Sequence, residues 1–211
     1  MIQQQTASWL KYIIVAASFP ALIPTIIYGS WSDKLGRKPV MWLPLIGNFL
    51  RNFGLVFVSY YIKSPIYYMI IISFVTALFG HFPTILSCTM SYVSDLSDQQ
   101  SRTKRVVILE SMLYVSGVIA SLGSGYVLQY FGYVSLYIAV CTIVLLLMVY
   151  MLFLKESYKP QTKVQFSQMF SFGHFVDAIK VYSKTRAGNG RSTLLILTIA
   201  FTINFACRSI S

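Results

Sequence analysis

Apolar blocks of about twenty residues or more, parted by short turns, constrain this chain more than any other feature. They run from Trp9 to Tyr28, Val40 to Ile62, Ile66 to Val93, Val106 to Phe131 and Tyr133 to Leu154, with a shorter one from Thr193 to Ser211. A hydrocarbon core of about 30 Å takes about 20 helical residues to cross. In lipid every backbone polar group must be satisfied within the segment, so single runs of this length are helices. Barrel strands, about ten alternating residues each, do not fit. The expected fold class is an all-α membrane protein, a polytopic helical bundle of five complete spans and a partial sixth. Short connections make neighbouring spans antiparallel. Composition agrees: the chain is 56% hydrophobic and 11% charged, against roughly 45–50% and about 25% for soluble domains. Pro20 and Pro24 are expected to bend the first helix.

Orientation follows from the cations. The turn 31–39 carries Lys34, Arg37 and Lys38, and the turn 93–105 carries Arg102, Lys104 and Arg105. The segment 155–191 carries Lys155, Lys159, Lys163, Lys180, Lys184, Arg186 and Arg191. These three segments alternate with the others and so lie on one side, which the positive-inside rule assigns to the cytoplasm. The other side holds only Lys11 and Lys63, while Arg51 and Arg208 fall inside spans. Met1 is then outside, and with no basic n-region before Trp9 to read as a secretory signal, an earlier helix is expected.

The net charge of +11 is explained by this topology beside an anionic inner leaflet, so no nucleic-acid partner is implied. Cys88, Cys141 and Cys207 sit in apolar spans without Cys-x-x-Cys spacing, which supports neither a disulfide framework nor a zinc site. There is no nucleophile elbow, His-Glu-x-x-His or phosphate loop, and His81 and His174 are the only imidazoles. No catalytic residue, cofactor or metal is expected, and the chain does not read as an enzyme. No Asn-x-Ser/Thr sequon marks an outside loop.

Between the first two spans stands Gly29-Ser-Trp-Ser-Asp33-Lys-Leu-Gly36-Arg37-Lys38-Pro39. Gly36 permits backbone angles a side chain forbids, and Pro39 starts the next helix where its missing donor costs little. Asp33 is the only acid among three cations, suited to rest against the positive end of a helix while Arg37 or Lys38 holds it. A lock of this kind can be made and broken as helices rock.

The pattern Gly-x-x-x-Asp-x-x-Gly-Arg-Lys resembles the cytoplasmic loop between helices 2 and 3 of major facilitator superfamily transporters. The resemblance implies that residues 1–154 are an N-terminal bundle of helices 2 to 6, residues 155–191 the central cytoplasmic loop, and residues 192–211 the start of helix 7. A narrower match adds Ser91-Tyr-Val-Ser-Asp95, Ser101-Arg102-Thr103 and Leu109-Glu110 in the same order. Together these are similar to the proton-coupled folate transporter and thymic stromal cotransporter family. Departures include Arg208 in helix 7, so a folate solute is not thereby given.

Ionisable groups deep in spans are costly and commonly face a cavity or a partner. Glu110 shares a helical face with Tyr114, Gly117 and Ser121, and a desolvated carboxyl can take and release protons. The matching glutamate in the family is linked to proton coupling; the plainer reading is a carboxylate reaching the cytoplasmic edge to pair with Arg102 or Arg105. The small residues Gly117, Ala120, Ser121, Ser124 and Gly125 suggest close helix approach. Drug antiporters of the superfamily resemble this region with a glycine-rich helix that also contains proline; none stands between Val106 and Phe131, so the resemblance tilts towards symport.

Arg51 lies on one polar face with Asn48 and Asn52, either for an anion or for packing against another span. His81, between Gly80 and Pro83, is a solute or proton contact or a packing histidine in a weakened stretch. Arg208 reads as a solute contact or a partner for a distant acid. Asp95 and Arg102 form a possible gate network, although solvated pairs contribute little.

The expected protein is thus a secondary transporter of the plasma membrane in preference to a lysosomal or other endomembrane. Its expected partners are a small, organic-anion solute, protons and the lipid bilayer, coupled by proton symport. Drug efflux by antiport, and a truncated membrane protein that carries nothing, are the alternatives.

Overall fold

The chain divides into two units, Met1–Gln165 and Phe166–Ser211. The computed structural model describes residues 2–61 and 65–157 of the first; in the second it describes only Ile196 and Ala200, both helical. Most of the expected central loop 155–191, the rest of the partial helix from Thr193, and Arg208 lie outside the described residues.

All regular structure among the described residues is helical. The first helix, α1 (Ile2–Leu35), contains both Pro20 and Pro24 and runs on through the basic motif. The turn expected over 31–39 therefore shrinks to one residue, Gly36, before α2 (Arg37–Tyr60). Gly36 makes this possible with φ 105° and ψ 161°, a region essentially closed to side chains. Pro39 falls in the first turn of α2, where no helical carbonyl needs its missing N–H.

The third apolar block is two helices, α3 (Tyr67–Leu78) and α4 (His81–Asp95). Gly80 at φ 85° and His81 at φ 51° break the run, at the place where glycine and proline around His81 predict a weakened backbone. Broken helices inside lipid persist only where the freed backbone groups find partners, and two carbonyls at this break carry side-chain hydrogen bonds. The Thr25 and Thr84 hydroxyls donate to the Gly80 carbonyl at 3.3 and 2.9 Å, and the Tyr28 hydroxyl donates to that of Leu78 at 2.9 Å.

The last helical stretch, α5 (Arg102–Phe153), has 52 residues and a length of about 78 Å, more than twice the bilayer core. Gly132, at φ 77° and ψ −179°, divides it, between the two blocks read from the sequence as ending at Phe131 and starting at Tyr133. The described residues thus make five spans, the broken third counting as one.

The packing suits lipid as solvent. Large apolar side chains such as Phe19, Phe57, Leu122, Leu146 and Phe153 cover the outside, while Ser32, Asn52, Ser73, Thr76 and Thr84 are buried between helices. Small and hydroxylated residues let helix backbones approach where apolar burial supplies no drive. The close approaches fall at Gly47, where an added Cβ would stand 2.5 Å from the Phe79 side chain, and at Gly54, 2.9 Å from Ile72. They do not fall on the stripe from Gly117 to Gly125. Nothing among the described residues lies within 4 Å of a Cβ added at Gly117, Gly123 or Gly125.

Candidate functional site

At one end of the bundle the basic motif forms a clasp centred on Arg37. Its Nη1 donates to Asp33 Oδ1 at 2.5 Å and to Ser32 Oγ at 3.0 Å, and its Nε donates to Asp95 Oδ2 at 2.8 Å. The link to Asp33 is one helical turn long, and that carboxylate is 67% exposed, so it contributes little. The link to Asp95 joins α2 to the end of α4 between side chains that are 13% and 25% exposed, where water screens less. Asp95 therefore meets Arg37 and not Arg102, whose exposed side chain has no ion-pair partner among the described residues. The α4–α5 turn folds Arg102 outward: its backbone N–H donates to the Asp98 carbonyl, and Arg105 reaches back to the Leu96 carbonyl at 3.2 Å.

The positive end of α2 is capped by Glu156 and not by Asp33. Glu156 Oε1 accepts the backbone N–H groups of Arg37 at 2.8 Å and of Lys38 at 3.2 Å. Reciprocally, Lys38 Nζ donates to the carbonyls of Leu152 at 3.0 Å and Leu154 at 2.8 Å at the end of α5. Each helix end thus carries the charge its dipole favours, and two sets of unsatisfied backbone groups are filled at once. The Tyr92 hydroxyl adds a bond from α4 to the Lys155 carbonyl at 2.8 Å. Glu156→Gln is expected to lower stability by about 1 kcal/mol, read as a reduced melting temperature in detergent at constant pH.

These contacts bring the turn at Gly36, the turn at Asp95 and the start of the segment after α5 to the same end. Gly29 lies within α1, with nothing among the described residues within 4 Å of a Cβ added there. Sequence reasoning passed over Glu156 and included Tyr92 only as part of a motif, with no role of its own. The available signal for the first was an acid directly behind the last complete apolar block, in an otherwise cationic stretch.

Glu110 lies in the third turn of α5, exposed, with no hydrogen bond or ion pair among the described residues. Neither Arg102 nor Arg105 reaches it, and none of the other described helices covers the face it shares with Tyr114 and Gly117. Arg51 and His81, which the sequence treats separately, line one cavity of about 280 Å³ with Pro44, Asn48, Thr76, Phe82 and Ile85. Asn52 is buried beside them on α2 and donates to the Asn48 carbonyl at 2.8 Å and its side-chain oxygen at 3.0 Å.

Long apolar helices, a one-residue basic turn and a charged clasp that ties α2 to α4 define a polytopic membrane protein with the motif architecture of a transporter. The chain belongs to the major facilitator superfamily, whose family model matches residues 2–210. It is 26% identical over 203 residues to the proton-coupled folate transporter of Bos taurus, covering 96% of this chain and 43% of that protein. It is 25% identical over 208 residues to a lysosomal proton-coupled steroid conjugate and bile acid symporter of the same organism, covering 97% and 45%. The Mus musculus counterpart of the latter is 26% identical over 204 residues, covering 96% and 44%. The chain spans less than half the length of these relatives.

Proposed function

We propose that this chain is the N-terminal part of a secondary active transporter that carries a small organic anion together with protons by alternating access. Residues 155–191 serve as the central cytoplasmic loop, and residues 192–211 begin a second bundle. The observation that carries this reading is Glu110, an acid set in the apolar run of α5 with no described partner, in a chain whose relatives are named proton-coupled. In this scheme Glu110 is the coupling acid, since a carboxyl holds a proton more readily when its surroundings lose water than when water returns. In this scheme Arg37 is the gate: its bond to Asp95 holds the cytoplasmic ends of α2 and α4 together in one state and exchanges for water in the other. Rocking two bundles about a central solute then needs only such exchanges of polar contacts.

Plasma-membrane uptake is the favoured setting, and surface biotinylation of the expressed protein tests it against a lysosomal one. Uptake of a labelled organic anion is expected to rise as external pH falls. Glu110→Gln, at equal surface amount, is expected to flatten that pH response and to lower uptake at acid pH about tenfold or more. An unchanged pH response in Glu110→Gln removes the symport reading. Export against a proton gradient would favour the antiport alternative.

A further inference from the structure

We propose that the cavity lined by Asn48, Arg51 and His81 binds the carboxylate end of an organic anion. The proposal rests on the transport reading and gives the solute's charged group a place in the fold.

Charge is the first argument. The chain has six acids. Asp33 and Asp95 meet Arg37, and Glu156 caps α2. Asp98 sits in the α4–α5 turn, Glu110 is on α5, and Asp177 is outside the described residues. None of the five described acids accompanies Arg51, whose side chain has no hydrogen bond or ion pair among the described residues. A guanidinium at membrane depth without a counter-charge is costly and marks a functional site.

The second argument is the donor balance of the walls. Arg51 offers a planar fork of donors that matches a carboxylate. The Asn48 side-chain oxygen is taken by Asn52, so its amide NH₂ is what remains to offer. The Thr76 hydroxyl already donates to the Ile72 carbonyl at 2.8 Å. His81 adds a ring N–H, held at the break where the backbone turns left-handed. The Thr76 oxygen is left as an acceptor, but Arg51 supplies a fixed positive charge with several donors, and the Asn48 amide and the His81 ring N–H add to them, which favours an anion.

Size and depth narrow the ligand. About 280 Å³ lies just below the range of whole small-molecule sites, which suits an acidic head with a ring-sized neighbour against Pro44, Phe82 and Ile85. At about 1.5 Å of rise per residue, Arg51 and His81 both stand roughly 21 Å from the cytoplasmic helix ends at Arg37 and Asp95. By the same rise Arg51 is roughly 13 Å from the opposite end at Tyr60. A lipid headgroup at either surface would have to sink that far, whereas a soluble anion can enter through a water-filled path.

The test uses radiolabelled benzoate as a soluble carboxylate probe, with the purified protein in nanodiscs of neutral phosphatidylcholine. Saturable binding of benzoate, with its uncharged analogue benzamide failing to compete, is expected. Arg51→Gln is expected to weaken binding about tenfold or more, with partial retention in Arg51→Lys. Should Arg51→Gln fail to fold by circular dichroism, His81→Gln and Asn48→Leu are expected to lower affinity about threefold or more. Equal competition by benzamide, or benzoate affinity unchanged in the folded variants, overturns the site. Loss of benzoate binding in phosphatidylserine nanodiscs assigns the cavity to a lipid headgroup and overturns it as well. Binding is read without translocation, so the two readings fail separately. Benzoate binding by a protein that carries nothing removes transport alone, and pH-driven uptake indifferent to Arg51 removes the site alone.

Discussion

Gly36→Ala is expected to destabilise the cytoplasmic end of the bundle by about 2–4 kcal/mol. Two causes add. The backbone at φ 105° and ψ 161° costs a non-glycine residue about 1–3 kcal/mol. A Cβ there would stand 2.9 Å from the Glu156 carboxylate and displace it from the first N–H groups of α2, at a further cost of about 1 kcal/mol. Melting temperatures in detergent for Gly36→Ala, Glu156→Gln and the double variant measure both. The double variant is expected to lose less than the two single losses combined, because one change already evicts the group the other removes. Full additivity, or a Gly36→Ala protein as stable as the parent, would refute the coupling between the motif turn and Glu156.

Gly80→Ala is expected to cost about 2–4 kcal/mol and to unsettle the break between α3 and α4. Left-handed backbone at φ 85° disfavours any Cβ by about 1–2 kcal/mol. The new methyl would also collide with Thr84 Oγ1 and come within 3.0 Å of the Tyr28 ring, the groups that satisfy the freed carbonyls of Gly80 and Leu78. Bonds of this kind between membrane helices are worth about 0.6 to 2 kcal/mol each. Gly117→Ala is the control: with nothing among the described residues within 4 Å, it is expected to be neutral or slightly stabilising. Equal losses in the two variants would show that helix propensity, and not the network around the break, sets the cost.

The position of this break bears on function as well as stability. It places His81 at the level of Arg51, and the same network couples α1, through Thr25 and Tyr28, to the backbone on either side of Gly80. A rearrangement at the break would therefore be felt in three helices at once.

Much of the bundle was legible before any coordinates. The span limits follow from apolar run length because lipid leaves the backbone no alternative to the helix. The turn at Gly132 is marked by glycine between two full-length blocks, and the weakened stretch at His81 by flanking glycine and proline. What misled was local analogy. Small residues from Gly117 to Gly125 signal close approach only if a partner is present, and the described helices meet closely at Gly47 and Gly54. Asp95 and Arg102 are near in sequence, yet the turn between α4 and α5 points them apart.

The sequence by itself determined that this is a membrane-spanning helical chain of the major facilitator superfamily, with its basic turns gathered at one end. Hydropathy, charge asymmetry and the Gly36 motif are properties of consecutive residues, so a linear reading captures them. Only the tertiary structure decided that Arg37 meets Asp95, that Glu156 caps α2, and that Arg51 and His81 share one cavity. Those pairings join residues 30 to 119 positions apart, and which side chains meet depends on how each helix is rotated and how deep it sits. Helix rotation and depth are set by packing and by the backbone breaks, which no local pattern encodes.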